Sequence, residues 1–234
     1  MRAAGTDVQA ARRRASVSQA WILAVAGALW VALLIHALVG PAPQSAPHDL
    51  ADWSLMVAAM TLPLAAPGAR LIAAASFRPR RRRASIEYVA GFMALWIAVA
   101  IGLFALVYPA HVFGHGGWVL MAAAALAVAW QVSERRRRAV ERCCFTTWPP
   151  AWGRGADVGA IKAGATSAVR CVGACWAMTL VMAAAPTLPV MGVLFALQSY
   201  ERQSGPNPFA RSRWGRPAVG FALLGAAGGL AAVR

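Results

Sequence analysis

Lysine is almost missing from these 234 residues: Lys162 is the only one. Acids are scarce too, with eight Asp and Glu against 23 Lys and Arg. So few carboxylates exclude the acidic clusters on which a metal-dependent nuclease or transferase depends. No phosphate-binding G-x-x-x-x-G-K loop, no H-E-x-x-H pair and no G-x-S-x-G elbow occurs, so the expectation is a protein that is not an enzyme. Four cysteines, two of them adjacent, do not make a disulfide framework. There is also no long polar stretch for a separate soluble domain, and no internal repeat.

Apolar residues dominate instead. They make up 59% of the chain, with a mean hydropathy of +0.55, more than a soluble domain of this size can hide. The net charge of +15 invites a nucleic-acid reading. The arginines argue against it, because they fall in short clusters between apolar runs, as in the positive-inside pattern of membrane proteins. The runs predict an all-α polytopic bundle of about seven transmembrane helices, at roughly 21–39, 53–77, 87–107, 118–132, 158–185, 188–200 and 217–233. A basic tail, 1–20, precedes a single transmembrane domain, 21–233. Arg12–Arg14 and the run after them also have the outline of a signal peptide, but that run is long for one. Nineteen of the 23 basic residues lie in the tail or in connections 78–86, 133–156 and 201–216, which are therefore expected to be cytoplasmic. The N-terminus is then inside and the C-terminus outside, in the inner membrane of a bacterium, with the lipid bilayer as the first partner and no nucleic acid. The last run lacks the lysine that a retinal protein would need.

The most informative stretch is Arg170–Met182, R-C-V-G-A-C-W-A-M-T-L-V-M. Cys171, Cys175, Met178 and Met182 follow steps of four, three and four, so a helix puts two thiols and two thioethers on one face. Soft sulfur donors suit Cu(I) best, with zinc second for the thiolates. Cys and Met are also good core residues, but Arg170 favours chemistry. An ionisable group deep in an apolar span tends to be functional, and a neighbouring cation stabilises a thiolate. Arg170 is expected to face a polar partner or the thiolate of a neighbouring cysteine, with Glu87 ahead of Glu134 as the acid. Met56 and Met60 sit one turn apart near the outer end of the second run, at the depth expected for Met178 and Met182. With Met121, Met191 and the histidines His36, His48, His111 and His115, they outline a loading path from the periplasm. Cys143 and Cys144 form a cytoplasmic pair that could receive or release metal, although neighbouring side chains on a helix diverge.

Several motifs, in this order, resemble a bacterial family described as predicted metal-binding integral membrane proteins, sometimes as copper chaperones. Trp53, Met56, Ala59, Met60, Thr61 and Pro63 match its early Trp/Met/Pro signature, with Thr61 in place of a methionine. Tyr88, Gly91, Phe92 and Trp96 match a Tyr/Gly/aromatic/Trp signature. Trp130 and Gln131 lead to Arg136, Ala139, Cys143 and Cys144, with Ala139 where a cysteine is expected. Cys171, Gly173, Ala174, Cys175 and Trp176 match a Cys/Gly/Cys/Trp motif, with Ala174 in place of another cysteine, and Glu201-Arg202 resembles the pair that closes the pattern. The resemblance implies membrane-embedded copper handling, with Cys171, Cys175, Met178, Met182, Met56, Met60 and Cys143 as candidate ligands and a cuproenzyme or periplasmic metal carrier as partner. The alternative is a scaffold or small-solute permease without metal, its polar spots explained by helix packing.

Overall fold

The computed structural model describes residues 3–39, 46–112, 116–143, 154–185 and 187–203. Among them every regular element is helical: α1 (Ala3–Val39), α2 (Ala46–Ala75), a single 3-10 turn at Arg78–Arg80, α3 (Arg81–Val112), α4 (Gly116–Val132), α5 (Glu134–Cys143), α6 (Arg154–Ala184) and α7 (Leu188–Gln203). Helices occupy the first six apolar runs. The run at 217–233, together with Cys144, lies outside the described residues, as do the side chains of Cys143, His48, His111 and His115. Among the described residues, four helical stretches are long and apolar enough to cross a membrane: Ala20–Val39, Asp49–Ala75, Arg78–Pro109 and Gly155–Ala184. The bent pair Gly117–Val132 and Glu134–Val140 makes a fifth if counted as one. The described part of α7, at 16 residues, is shorter than a bilayer requires.

The chain forms two compact units, Met1–Ala98 with Phe145–Val169, and Val99–Cys144 with Arg170–Arg234. In the first, α1 packs along α2 through Ile22, Ala26 and Leu33, which recur at helical spacing. Pro63 and Pro67 lie inside α2, where each withholds an N–H from the residue four before it. Two contacts make α2 antiparallel to the first half of α3: Gly68 lies against the Tyr88 ring and Thr61 against Met93.

The first halves of α3 and α6 run parallel and very close. A methyl group at Gly164 would overlap the Tyr88 carbonyl, and one at Gly91 would overlap the carbonyl of Ile161. Reciprocal glycines of this kind let two backbones touch. Charge ties the same helices at their beginnings. Arg80 Nη2 donates to Glu87 Oε2 at 2.8 Å and to Asp157 Oδ1 at 2.7 Å, while Arg83 reaches Glu87 Oε1 at 2.8 Å and Asp157 Oδ2 at 2.7 Å. Asp157 stands in the first turn of α6, where the helix dipole favours an anion.

In the second unit, α4 is antiparallel to the second half of α6. Leu120, Ala123, Ala124 and Ala127 interlock with Ala177, Val181, Ala184 and Ala185. Small side chains on both helices permit the close approach. Residues 133–156, expected as a connection, contain a helix. The chain bends by 74° at Ser133 and continues as α5. Ser133 accounts for the bend. Its Oγ donates to the Trp130 carbonyl at 2.8 Å and accepts the Arg136 N–H at 3.2 Å, closing one helix and capping the next. Glu134 then pairs with Arg137 at 2.7 Å, one turn on.

Candidate metal centre

The second half of α6 carries the four sulfur residues of the Arg170–Met182 stretch. Residues 158, 162, 169 and 173 mark its exposed side. Cys171, Cys175, Met178 and Met182 lie on the other side, and all are buried, Cys171 completely and Met178 to 1% exposure. Neither cysteine is in a disulfide, so both remain thiols. Arg170, beside the first thiol, is half-buried.

Neighbouring helices brace this segment. From α4, the Trp130 indole N–H donates to the Ala174 carbonyl at 3.2 Å, one residue before Cys175. The same ring meets Trp176 edge-on, with centroids 5.3 Å apart, a favourable aromatic geometry. Within α6, Thr179 Oγ1 donates to the Cys175 carbonyl at 3.2 Å. From α7, Gln198 Nε2 lies 3.9 Å from Met178 Sδ, with both residues buried.

Met56 and Met60 belong to the first unit. Both are buried on α2, on the face that also carries Trp53 and Ala59. A thioether of α3 reaches the residue after Met60: the Thr61 hydroxyl donates to the Val57 carbonyl at 2.8 Å and lies 3.7 Å from Met93 Sδ. Of the remaining candidates, Cys143 is the last residue of α5, Met191 is fully buried on α7, and Met121 is exposed on α4. His36 Nε2 stands 3.1 Å from Asp52 Oδ2. Both oxygens of Glu87, the acid expected to face Arg170, are taken by Arg80 and Arg83.

Sequence reasoning did not find Gln198, Met93 or the Trp130 N–H. Gln198 had one legible signal, a lone amide among apolar residues of the sixth run. The Tyr88, Gly91, Phe92 and Trp96 motif is a packing motif: its aromatic side chains are buried and Gly91 touches α6 backbone.

Among the described residues, no three His, Cys, Asp or Glu side chains come together as a possible metal-holding group. The donors that α6 offers are thiols and thioethers, a set whose softness fits monovalent copper.

A family model described as PpoB2, copper chaperone, matches residues 50–230. No curated protein and no solved structure matches the chain.

Proposed function

Because this chain belongs to the PpoB2 copper-chaperone family, we propose that it is a membrane-embedded Cu(I) carrier rather than an enzyme. It takes the ion onto sulfur donors of α6 and passes it to a cuproenzyme or a periplasmic metal carrier. The observation that carries this reading is the burial of Cys171, Cys175, Met178 and Met182 on one side of a single helix. Two thiolates would hold Cu(I) strongly and leave one negative charge in an apolar setting. Arg170 supplies the opposite charge at the next residue, which offsets the cost of burying that anion. Met56 and Met60 belong to the loading path, where neutral thioethers bind more weakly and release more readily than thiolates. Cys143 and Cys144, in the connection expected to be cytoplasmic, are the candidates for releasing or receiving the ion there.

Reduced protein purified in detergent and exposed to Cu(I) should retain about one copper per chain. Copper no higher than in a Cys171→Ser/Cys175→Ser control would sink the carrier. It would turn attention to a scaffold or permease, which needs the α3–α6 packing but no sulfur.

The inner membrane as the location rests on length, surface and charge. The exposed sides of α1, α3, α4 and α6 are lined with large apolar residues, among them Leu38 at 85% and Leu106 at 69% exposure. Apolar faces of this extent associate in water and are at ease against acyl chains. The parallel course of α3 and α6 supports starting both on one side of the bilayer, where the arginine-rich turn 78–83 and Arg154 are expected to be cytoplasmic. An impermeant maleimide applied to intact spheroplasts should leave Cys143 and Cys144 unlabelled and should reach them after permeabilisation. Labelling from outside would reverse the orientation.

A further inference from the structure

We propose that Gln198 is a positioning residue for the thioether end of the copper site, holding the Met178 sulfur in place through its side-chain N–H. The inference rests on the Cu(I) reading above and adds to it a residue outside the sulfur set.

Gln198 stands where a core residue would be expected. With Met191 and Leu194 it forms the buried side of α7, at spacings of three and four. It is 6% exposed, and an amide placed there loses water for whatever partners the helices provide. Its Nε2 lies 3.9 Å from Met178 Sδ, a long donor contact to a weak sulfur acceptor. The turn between α6 and α7 brings the two residues together. Thr187 N donates to the Ala185 carbonyl at 2.8 Å, Met191 N donates to the Thr187 carbonyl at 3.0 Å, and α7 then folds back along α6.

A methionine side chain has three rotatable bonds and adapts to many surroundings. Left to itself, the Met178 sulfur would sample several positions, and a metal would have to select one. An N–H on one sulfur lone pair removes much of that freedom and leaves the second lone pair for the ion. The ordering cost of binding falls accordingly. Because the amide is neutral, it adds no charge beside a cation. An ordinary helix–helix hydrogen bond would account for a buried glutamine as well, so the test must separate positioning from packing.

The full-length protein, in detergent under reducing anaerobic conditions, is titrated with Cu(I) against a chromophoric Cu(I) chelator. Gln198→Leu should weaken binding about three- to tenfold and leave the stoichiometry unchanged. In a Met178→Leu background, Gln198→Leu should cost nothing further. A second readout needs no copper. With methyl-labelled methionine, the Met178 methyl signal of the apo protein should move toward the motionally averaged position in Gln198→Leu, while the Met191 signal stays put. Unchanged or tighter copper binding by Gln198→Leu overturns the proposal, as does an equal loss in both backgrounds or an unmoved methyl signal. Wild-type protein that binds no copper removes the carrier reading and this one together. Wild-type binding with a silent Gln198→Leu removes this one alone.

Discussion

Cys171→Ser combined with Cys175→Ser is expected to lower Cu(I) affinity by more than about 100-fold. Even replacing a residue that only hydrogen-bonds to a metal ligand costs about 10–100-fold, and these substitutions remove both anionic donors. Serine nearly matches cysteine in size, so the buried side of α6 should keep its packing. Its hydroxyl is a hard donor and stays protonated, which leaves only the neutral thioethers of Met178 and Met182. Chelator competition measures the loss. Arg170→Leu should have a smaller effect, about tenfold, because it removes a compensating charge and leaves every ligand in place. Met56→Leu with Met60→Leu should slow copper loading while leaving the final affinity unchanged. The affinity of the wild type should fall as pH is lowered, because protons compete with the metal for sulfur. A double-serine variant that binds as tightly as the wild type would clear α6 of any role as the copper site.

Gly164→Val is expected to destabilise the first unit by about 3 kcal/mol or more, at or above the usual range for overpacking. The atoms that a Cβ would meet there are the Tyr88 carbonyl, the Tyr88 carbonyl carbon and the Phe92 amide nitrogen, all backbone. Backbone cannot turn aside as a side chain can. The two helices must separate, which would also pull on the Arg80 and Arg83 contacts to Asp157. Gly173 is the control. It lies on the same helix with nothing near its would-be Cβ, so Gly173→Ala should be close to neutral or mildly stabilising. The midpoint of thermal or detergent-induced unfolding, followed by helical circular dichroism, distinguishes the two. If Gly164→Val unfolds at the same midpoint as Gly173→Ala, the α3–α6 contact is not the tight joint that the geometry describes.

Much of this architecture was readable from residue order. Helices need only local periodicity and apolar length, and both survive in a linear string. That is why the runs at 21–39, 53–77, 87–107 and 158–185 became α1, α2, α3 and α6. The placement of four sulfurs on one side of α6 follows from steps of four, three and four alone. Residues 133–156 have the charge of a connection, yet they also hold local signals for α5: a serine that caps, and a Glu-x-x-Arg pair directly after it.

Contacts between helices obey no such local rule, and there the tertiary structure decided. Glu87 does not face Arg170: it pairs with Arg83 one turn before it on α3 and with Arg80 from the preceding 3-10 turn, and what the tertiary structure adds is Asp157 of α6, which shares both arginines. The Tyr88, Gly91, Phe92 and Trp96 motif owes its spacing to α6, whose backbone passes close enough to require glycine. Gln198 meets Met178 twenty residues away only because α7 folds back on α6 in one register. Periodicity states which residues share a face of one helix. Which helix covers that face, and at what height, depends on the packing of small residues and on charges at helix ends, and the chain settles these only when it folds.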